Sequence, residues 1–176
     1  MARQNKTQSK KIAAGGILAA GSLAILWLAC VTPAARMGLT AAAGLFPMAA
    51  VLAAGRTAGY LCWAAAGLLG FFLLPDKGVV LLYLGFLGVY PVVKSRIESL
   101  RNQAMEWALK LAFFNLMLLL VWRLFQGMVF PDPPSWLAGS DVLLHGVGSL
   151  VFIVYDLGLS QLIAALQARL GYGKRR

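Results

Sequence analysis

Only six acidic residues and one histidine occur in this chain of 176 residues, so the side chains that most often carry acid–base catalysis are scarce. No HExxH, GxSxG or Walker sequence is present, and no pair of carboxylates falls at close spacing. The sequence is therefore not read as an enzyme, and no cofactor or metal is expected. The two cysteines, Cys30 and Cys62, have no metal-ligand spacing, and they fall at different expected membrane depths, too far apart to bridge. Charge is also short: 12% of residues, against about 25% in soluble domains.

What fills the chain instead is hydrocarbon. Hydrophobic residues make up 60%, and the mean hydropathy is +0.77. A membrane helix needs about 20 apolar residues. Six runs approach or meet that length: Ile12 to Val31, Leu39 to Ala54, Thr57 to Leu74, Gly78 to Val93, Glu106 to Met128 and Val142 to Leu166. Their boundaries are Thr32-Pro33, Gly55-Arg56, Pro75-Asp76-Lys77, the polar stretch after Val93, and Phe130-Pro131-Asp132-Pro133-Pro134. The last of these is expected to be an extended loop, because proline lacks an amide donor and disfavours helix in the residue before it. The first run follows a basic head as a signal peptide would. At about 20 residues it exceeds the 7–15 of a signal core, and it is read as a retained helix.

The basic residues give the orientation. Twelve of the sixteen fall at four places: Arg3, Lys6, Lys10 and Lys11; Arg56; Lys94, Arg96 and Arg101; and Arg169, Lys174, Arg175 and Arg176. Two spans separate each place from the next, so all four return to one side, which the retention of positive charge identifies as cytoplasmic. Arg36 and Lys77 fall opposite, and Lys110 and Arg123 lie within the fifth run. The expected fold is all-α, a single polytopic domain over residues 1–176 with six transmembrane helices. Both termini are expected in the cytoplasm, as basic tails at 1–11 and 168–176. The net charge of +10 then reflects attraction to anionic headgroups, and no nucleic acid is expected as a partner. In the stretch 94–107, Ile97, Leu100, Ala104 and Trp107 recur at helical spacing. Two readings fit: a helix lying in the interface, or an extension of the fifth span.

Within the first run, Gly16, Ala20 and Ala24 share a four-residue spacing, which puts them on one face where another helix can approach closely. Packing inside the bundle and docking of a partner are both compatible with that. The six-helix layout, short length, basic N-terminal tail and Ala20-xxx-Ala24 resemble the substrate-capture (S) components of energy-coupling-factor vitamin transporters. The segment from Leu39 to Lys94 adds to the likeness, with its Gly-Arg helix end, its Ala/Gly-rich third helix and Pro75-Asp76-Lys77. The chain also resembles a group of clostridial-type membrane proteins in Pro75-Asp76-Lys77, Tyr90-Pro91-Val92-Val93-Lys94, Asn115 and Tyr155-Asp156-Leu157. The first resemblance implies a bundle holding a vitamin-like molecule in a pocket open to the outside. It implies partners too: a transmembrane coupling subunit met by Gly16, Ala20 and Ala24, and two cytoplasmic ATPases. It carries over no substrate-binding residue.

Polar groups inside spans cost about 2.5–3.5 kcal/mol each on insertion scales, so they face a cavity or a partner. Asp156 and Asn115 fall at comparable depth in the sixth and fifth runs, and adjacent antiparallel helices would let Asp156 pair with Lys110 or Asn115. That is either a clasp between two helices or a substrate contact. Arg123, Trp136, Asp141 and His145 can meet at the outer mouth, where they would suit a small polar heteroaromatic ligand. Ordinary interface roles account for each of them as well. The expected function is capture of a small molecule at the cell membrane. The alternative is a scaffold or assembly protein that docks a partner through helix one. A cavity in the bundle separates the two.

Overall fold

The computed structural model describes residues 2–100, 102–129 and 141–169. Among them there is no strand, and six helical segments are long and apolar enough to cross a membrane. The first is α1 (Ala2–Val31), which stops where Thr32-Pro33 begins a short 3-10 turn, Pro33–Ala35. The second is α2 (Arg36–Ala43) followed by α3 (Leu45–Ala54), and the third is α4 (Arg56–Leu73). The fourth comprises α5 (Lys77–Leu82), a π-helical turn over Tyr83–Leu87, and α6 (Tyr90–Ile97). Helices α7 (Gln103–Val129) and α8 (Asp141–Arg169) are the fifth and sixth. This is a multi-pass membrane protein, and the bilayer is its surround.

Two joints expected from the sequence are resolved by backbone geometry. Spans two and three are linked by Gly55 alone, whose φ of +97° is open to glycine and strained for a side chain. The fourth span runs past Val93 to Ile97, so it is 21 residues long rather than short. The 94–107 stretch is divided: its first four residues close α6, and Gln103 to Trp107 open α7. Arg101 and residues 130–140 lie outside the described residues.

Prolines set the breaks inside spans two and four. Pro47 has no N–H to offer the carbonyl four residues back, that of Ala43. Ser22 of α1 donates its hydroxyl to that carbonyl at 3.0 Å. Pro91 likewise frees the Leu87 carbonyl, at the end of the π-helical turn. That carbonyl lies so close to Gly44, between α2 and α3, that a Cβ there would fall 2.1 Å from it. The two interrupted helices thus meet at their breaks, where Gly44 of span two lies against the open carbonyl of span four, while α1 serves the open carbonyl of span two.

Side-chain contacts fix the two ends of the bundle. At one, Arg36 Nη2 donates to Asp76 Oδ1 and to the Met128 carbonyl, both at 3.1 Å. Asp76 also caps α5 by accepting from the amides of Gly78 and Val79. Lys77 donates to the Phe71 and Leu74 carbonyls at the end of α4. At the other end Arg56 donates to the Ser95 carbonyl at 3.2 Å, and Arg96 stacks over Tyr60. We call these the Asp76 end and the Arg56 end.

The interior has two parts. Spans one to four pack through small and aliphatic residues, with Ala19, Leu26, Ala29, Ala43, Cys62 and Ala66 among the buried ones. Spans four to six close around aromatics: Tyr90 and Phe152 buried, with Phe86, Phe113, Phe114 and Tyr155 against them.

Candidate functional site

The sixth span brings one carboxylate into the bundle at mid-helix, and two lysines come to meet it. Asp156 is 1% exposed, Lys94 0% and Lys110 2%. Lys94 and the Tyr90 hydroxyl both donate to Asp156 Oδ1, while Lys110 donates to Oδ2 at 3.1 Å. Glu98 Oε1 closes the circle, 2.7 Å from Lys94 and 3.0 Å from Lys110. Charges therefore alternate around a ring: Lys94, Asp156, Lys110, Glu98. Glu106 adds a contact to Lys110 at 2.7 Å, at the favourable four-residue spacing. Each buried cation has at least two anionic oxygens, which is what a low-dielectric interior demands of charge. The ring ties α6, α7 and α8 together on the Arg56 side of mid-bundle.

Above the ring sits a layer of rings of another kind. Phe86 lies within 5.3 to 6.2 Å, centroid to centroid, of Tyr90, Phe113, Phe114, Phe152 and Tyr155. Phe114 and Phe152 stack at 4.7 Å and 10°. Tyr90 belongs to both layers, because its ring packs with Phe86 while its hydroxyl serves Asp156.

On the Asp76 side of that aromatic layer is a cavity of about 440 Å³, between α2, the start of the fourth span, α7 and α8. Its size is that of a ligand site, in the range of roughly 300–1,000 Å³. It is half open at the side of the bundle, where its lining residues Met37, Val147 and Val151 are exposed. Its walls are apolar, with Met37, Leu82, Phe86, Phe114, Val121 and Phe152 among them. A second, separate hollow of about 250 Å³ lies between α2 and α8, from Tyr155 to Leu162 on α8. The Tyr155 hydroxyl is buried and has no hydrogen-bond partner among the described residues. A buried donor in that state costs about 1–3 kcal/mol.

The residues singled out from sequence are distributed among several places. Asp156 does pair with Lys110, as adjacent antiparallel helices allow, but Asn115 is elsewhere. Its side-chain oxygen lies 2.7 Å from His145 Nδ1, and its amide donates to Ser149 Oγ at 3.2 Å and to the Leu111 carbonyl at 2.9 Å. That is a polar clasp between α7 and α8. Arg123 and Asp141 approach to 3.7 Å with side chains 67% and 70% exposed, at the surface of the Asp76 end. Trp136 lies outside the described residues. None of Asn115, Arg123, Asp141, His145 and Asp156 lines the cavity. Gly16, Ala20 and Ala24 are all exposed, while Ala19, Ser22, Leu26 and Ala29 form the buried face of the same helix. The small-residue stripe therefore looks out of the bundle. Among the described residues, no three His, Cys, Asp or Glu side chains gather as a metal site would require.

Comparison with protein-family models, with curated proteins and with solved structures finds no match to this chain.

Proposed function

We propose that this protein is the membrane-embedded capture subunit of an importer of the energy-coupling-factor kind. It holds a small, vitamin-sized molecule inside the bundle and leaves the energy to partner ATPases. The observation that carries this reading is the cavity of about 440 Å³. A hollow of that size fits a bound small molecule, in the range of ligand sites, and a bundle that only held a partner does not require one.

The rest of the fold is consistent with that role. Positive charge at the Arg56 end makes it the cytoplasmic end, so the cavity lies in the outer half. The aromatic layer and the charge ring then seal the path inward. Gly16, Ala20 and Ala24 face out of the bundle, where a coupling subunit's helix can come close. A scaffold would use the same stripe; only the cavity separates the two readings.

The test is purification of the tagged protein from its own membranes in mild detergent, with identification of everything retained. Capture is expected to bring down two ATPase subunits, a membrane coupling subunit and a stoichiometric small molecule. Recovery of partners of some other kind, with the cavity empty, would move the assignment to a scaffold.

A further inference from the structure

We infer that the charge ring is a relay, which carries the state of the cavity, empty or filled, to the turn that follows α6 at the Arg56 end. This rests on the capture reading and adds the place where loading is read.

Each helix around the cavity floor carries a floor aromatic and a ring member four residues apart. On α7 they are Phe114 and Lys110, and on α8 they are Phe152 and Asp156. In span four they are Phe86 and Tyr90, whose rings stack at 5.4 Å. Four residues put two side chains on one helix face, about 6 Å apart along the axis. Three aromatics that line the cavity therefore stand over the three groups that meet at Asp156. The layers are joined across the helices as well. Phe86 lies 5.3 Å from Phe114 and 5.8 Å from Phe152, and Tyr90 meets Phe152 at 5.1 Å while donating its hydroxyl to Asp156. Span four can also yield here. The Gly88 amide bonds to the Tyr83 carbonyl five residues back, so Phe86 sits where the α-helical ladder is already open.

From the ring the path ends at water. Lys94, Lys110 and Asp156 are at most 2% exposed, whereas the side chain of Glu98 is 36% exposed. Glu98 caps the end of α6, and its carboxylate spans both lysines. The amides of Glu98, Ser99 and Leu100 bond back to the carbonyls of Lys94, Arg96 and Ile97. An opening of this turn takes Glu98 from Lys94 and Lys110, and so loosens the ring beneath the floor. An occupant packs on the assembled floor, from the one side where those aromatics have no neighbour. Filling the cavity therefore opposes the opening, and exchange of the turn's amides slows.

The test installs an occupant covalently. Gly38 lines the cavity on α2, and a Cβ there meets nothing within 4 Å, so larger side chains at that position should fold. Val121 lines it on α7 and is 7% exposed. Full-length Gly38→Cys and Val121→Cys, each with Cys30→Ala, are treated in phospholipid nanodiscs with benzyl methanethiosulfonate, or with the methyl reagent as the small control. Cys62 is 2% exposed and stays in place, and intact mass confirms a single adduct. Hydrogen exchange at Glu98, Ser99 and Leu100 is then read by mass spectrometry. We expect the benzyl adduct to slow it at least about fivefold relative to the methyl adduct, the low end of coupling between sites. The benzyl adduct of Leu68→Cys, at an exposed position on α4 that does not line the cavity, should have no effect. Asp156→Asn, or the partly exposed Glu98→Gln, should bring the ratio to about one. An unchanged rate with the adduct in place overturns the relay, as does slowing that survives both ring variants. If a native molecule occupies the cavity while the turn is unmoved, capture stands and the relay falls. If the adduct slows exchange but no native molecule is found, the coupling stands and capture falls.

Discussion

Removing one member of the charge ring should cost stability in an order set by what is left behind. Lys94, Lys110, Asp156, Glu98 and Glu106 sum to two positive and three negative charges, a formal −1. Asp156→Asn leaves two against two, and both lysines keep Glu98, with Lys110 keeping Glu106 as well. Lys94→Met leaves one positive against three negative charges, with Asp156 dependent on Lys110 and Tyr90 alone. Breaking a buried pair by removing one partner costs about 3–5 kcal/mol, and Lys94→Met belongs in that range. Asp156→Asn should fall at about 1–3 kcal/mol, above the ~0.6 kcal/mol average for polar contacts between membrane helices, because the lost contacts are ionic. The double variant returns the remaining charges to one against two, again −1, and should be less destabilised than the sum of the two singles by about 1 kcal/mol or more. The assay is reversible unfolding by SDS in mixed micelles, followed by tryptophan fluorescence. An Asp156→Asn protein as unstable as Lys94→Met, or a double variant that is additive within about 0.5 kcal/mol, would refute the idea that charge balance governs the ring.

Other outcomes follow from the same contacts. Arg123→Ala should change stability by no more than about 0.5 kcal/mol in that titration, because its partner is distant and both side chains are exposed. Arg36→Met should cost about 1–3 kcal/mol, since one guanidinium holds the start of α2, the cap of α5 and the Met128 carbonyl near the end of α7 together. Ala20→Leu should fold normally, because its site is exposed, and should lose the coupling subunit in pull-downs while ligand binding is retained. Retention of every partner by Ala20→Leu would exclude the stripe as the docking face.

Hydrophobic run length made the spans legible, because a lipid-facing helix must be apolar over its whole crossing and Thr32-Pro33 and Gly55 mark abrupt stops. The pairing of Asp156 with Lys110 was legible too, from the antiparallel neighbours that carry them. Lys94 was not. Ending the fourth span at Val93 made that lysine look like part of a border cluster, although Glu98 four residues on and Ile97 between them carried a helical signal. Glu98 was missed for the same reason; Tyr90 lay inside the run, where its hydroxyl carried no local signal of a charged partner. The mouth assembled from Arg123, Trp136, Asp141 and His145 presumed that polar groups converge on the ligand. Instead Asn115 takes His145, and the hollow is apolar. A cavity arises where helices fail to meet, and no local pattern records a gap between α2 and α8. An unpartnered hydroxyl such as that of Tyr155 is likewise a property of its neighbours.

The most direct measurement is native mass spectrometry of the parent protein and Gly38→Leu, each purified from its own membranes, with the small molecules released on activation identified. Capture in the cavity predicts one species at about one per protein from the parent and none from Gly38→Leu, with both folded alike. A species retained equally by both proteins, or an empty parent alongside an intact set of unrelated partners, would contradict it.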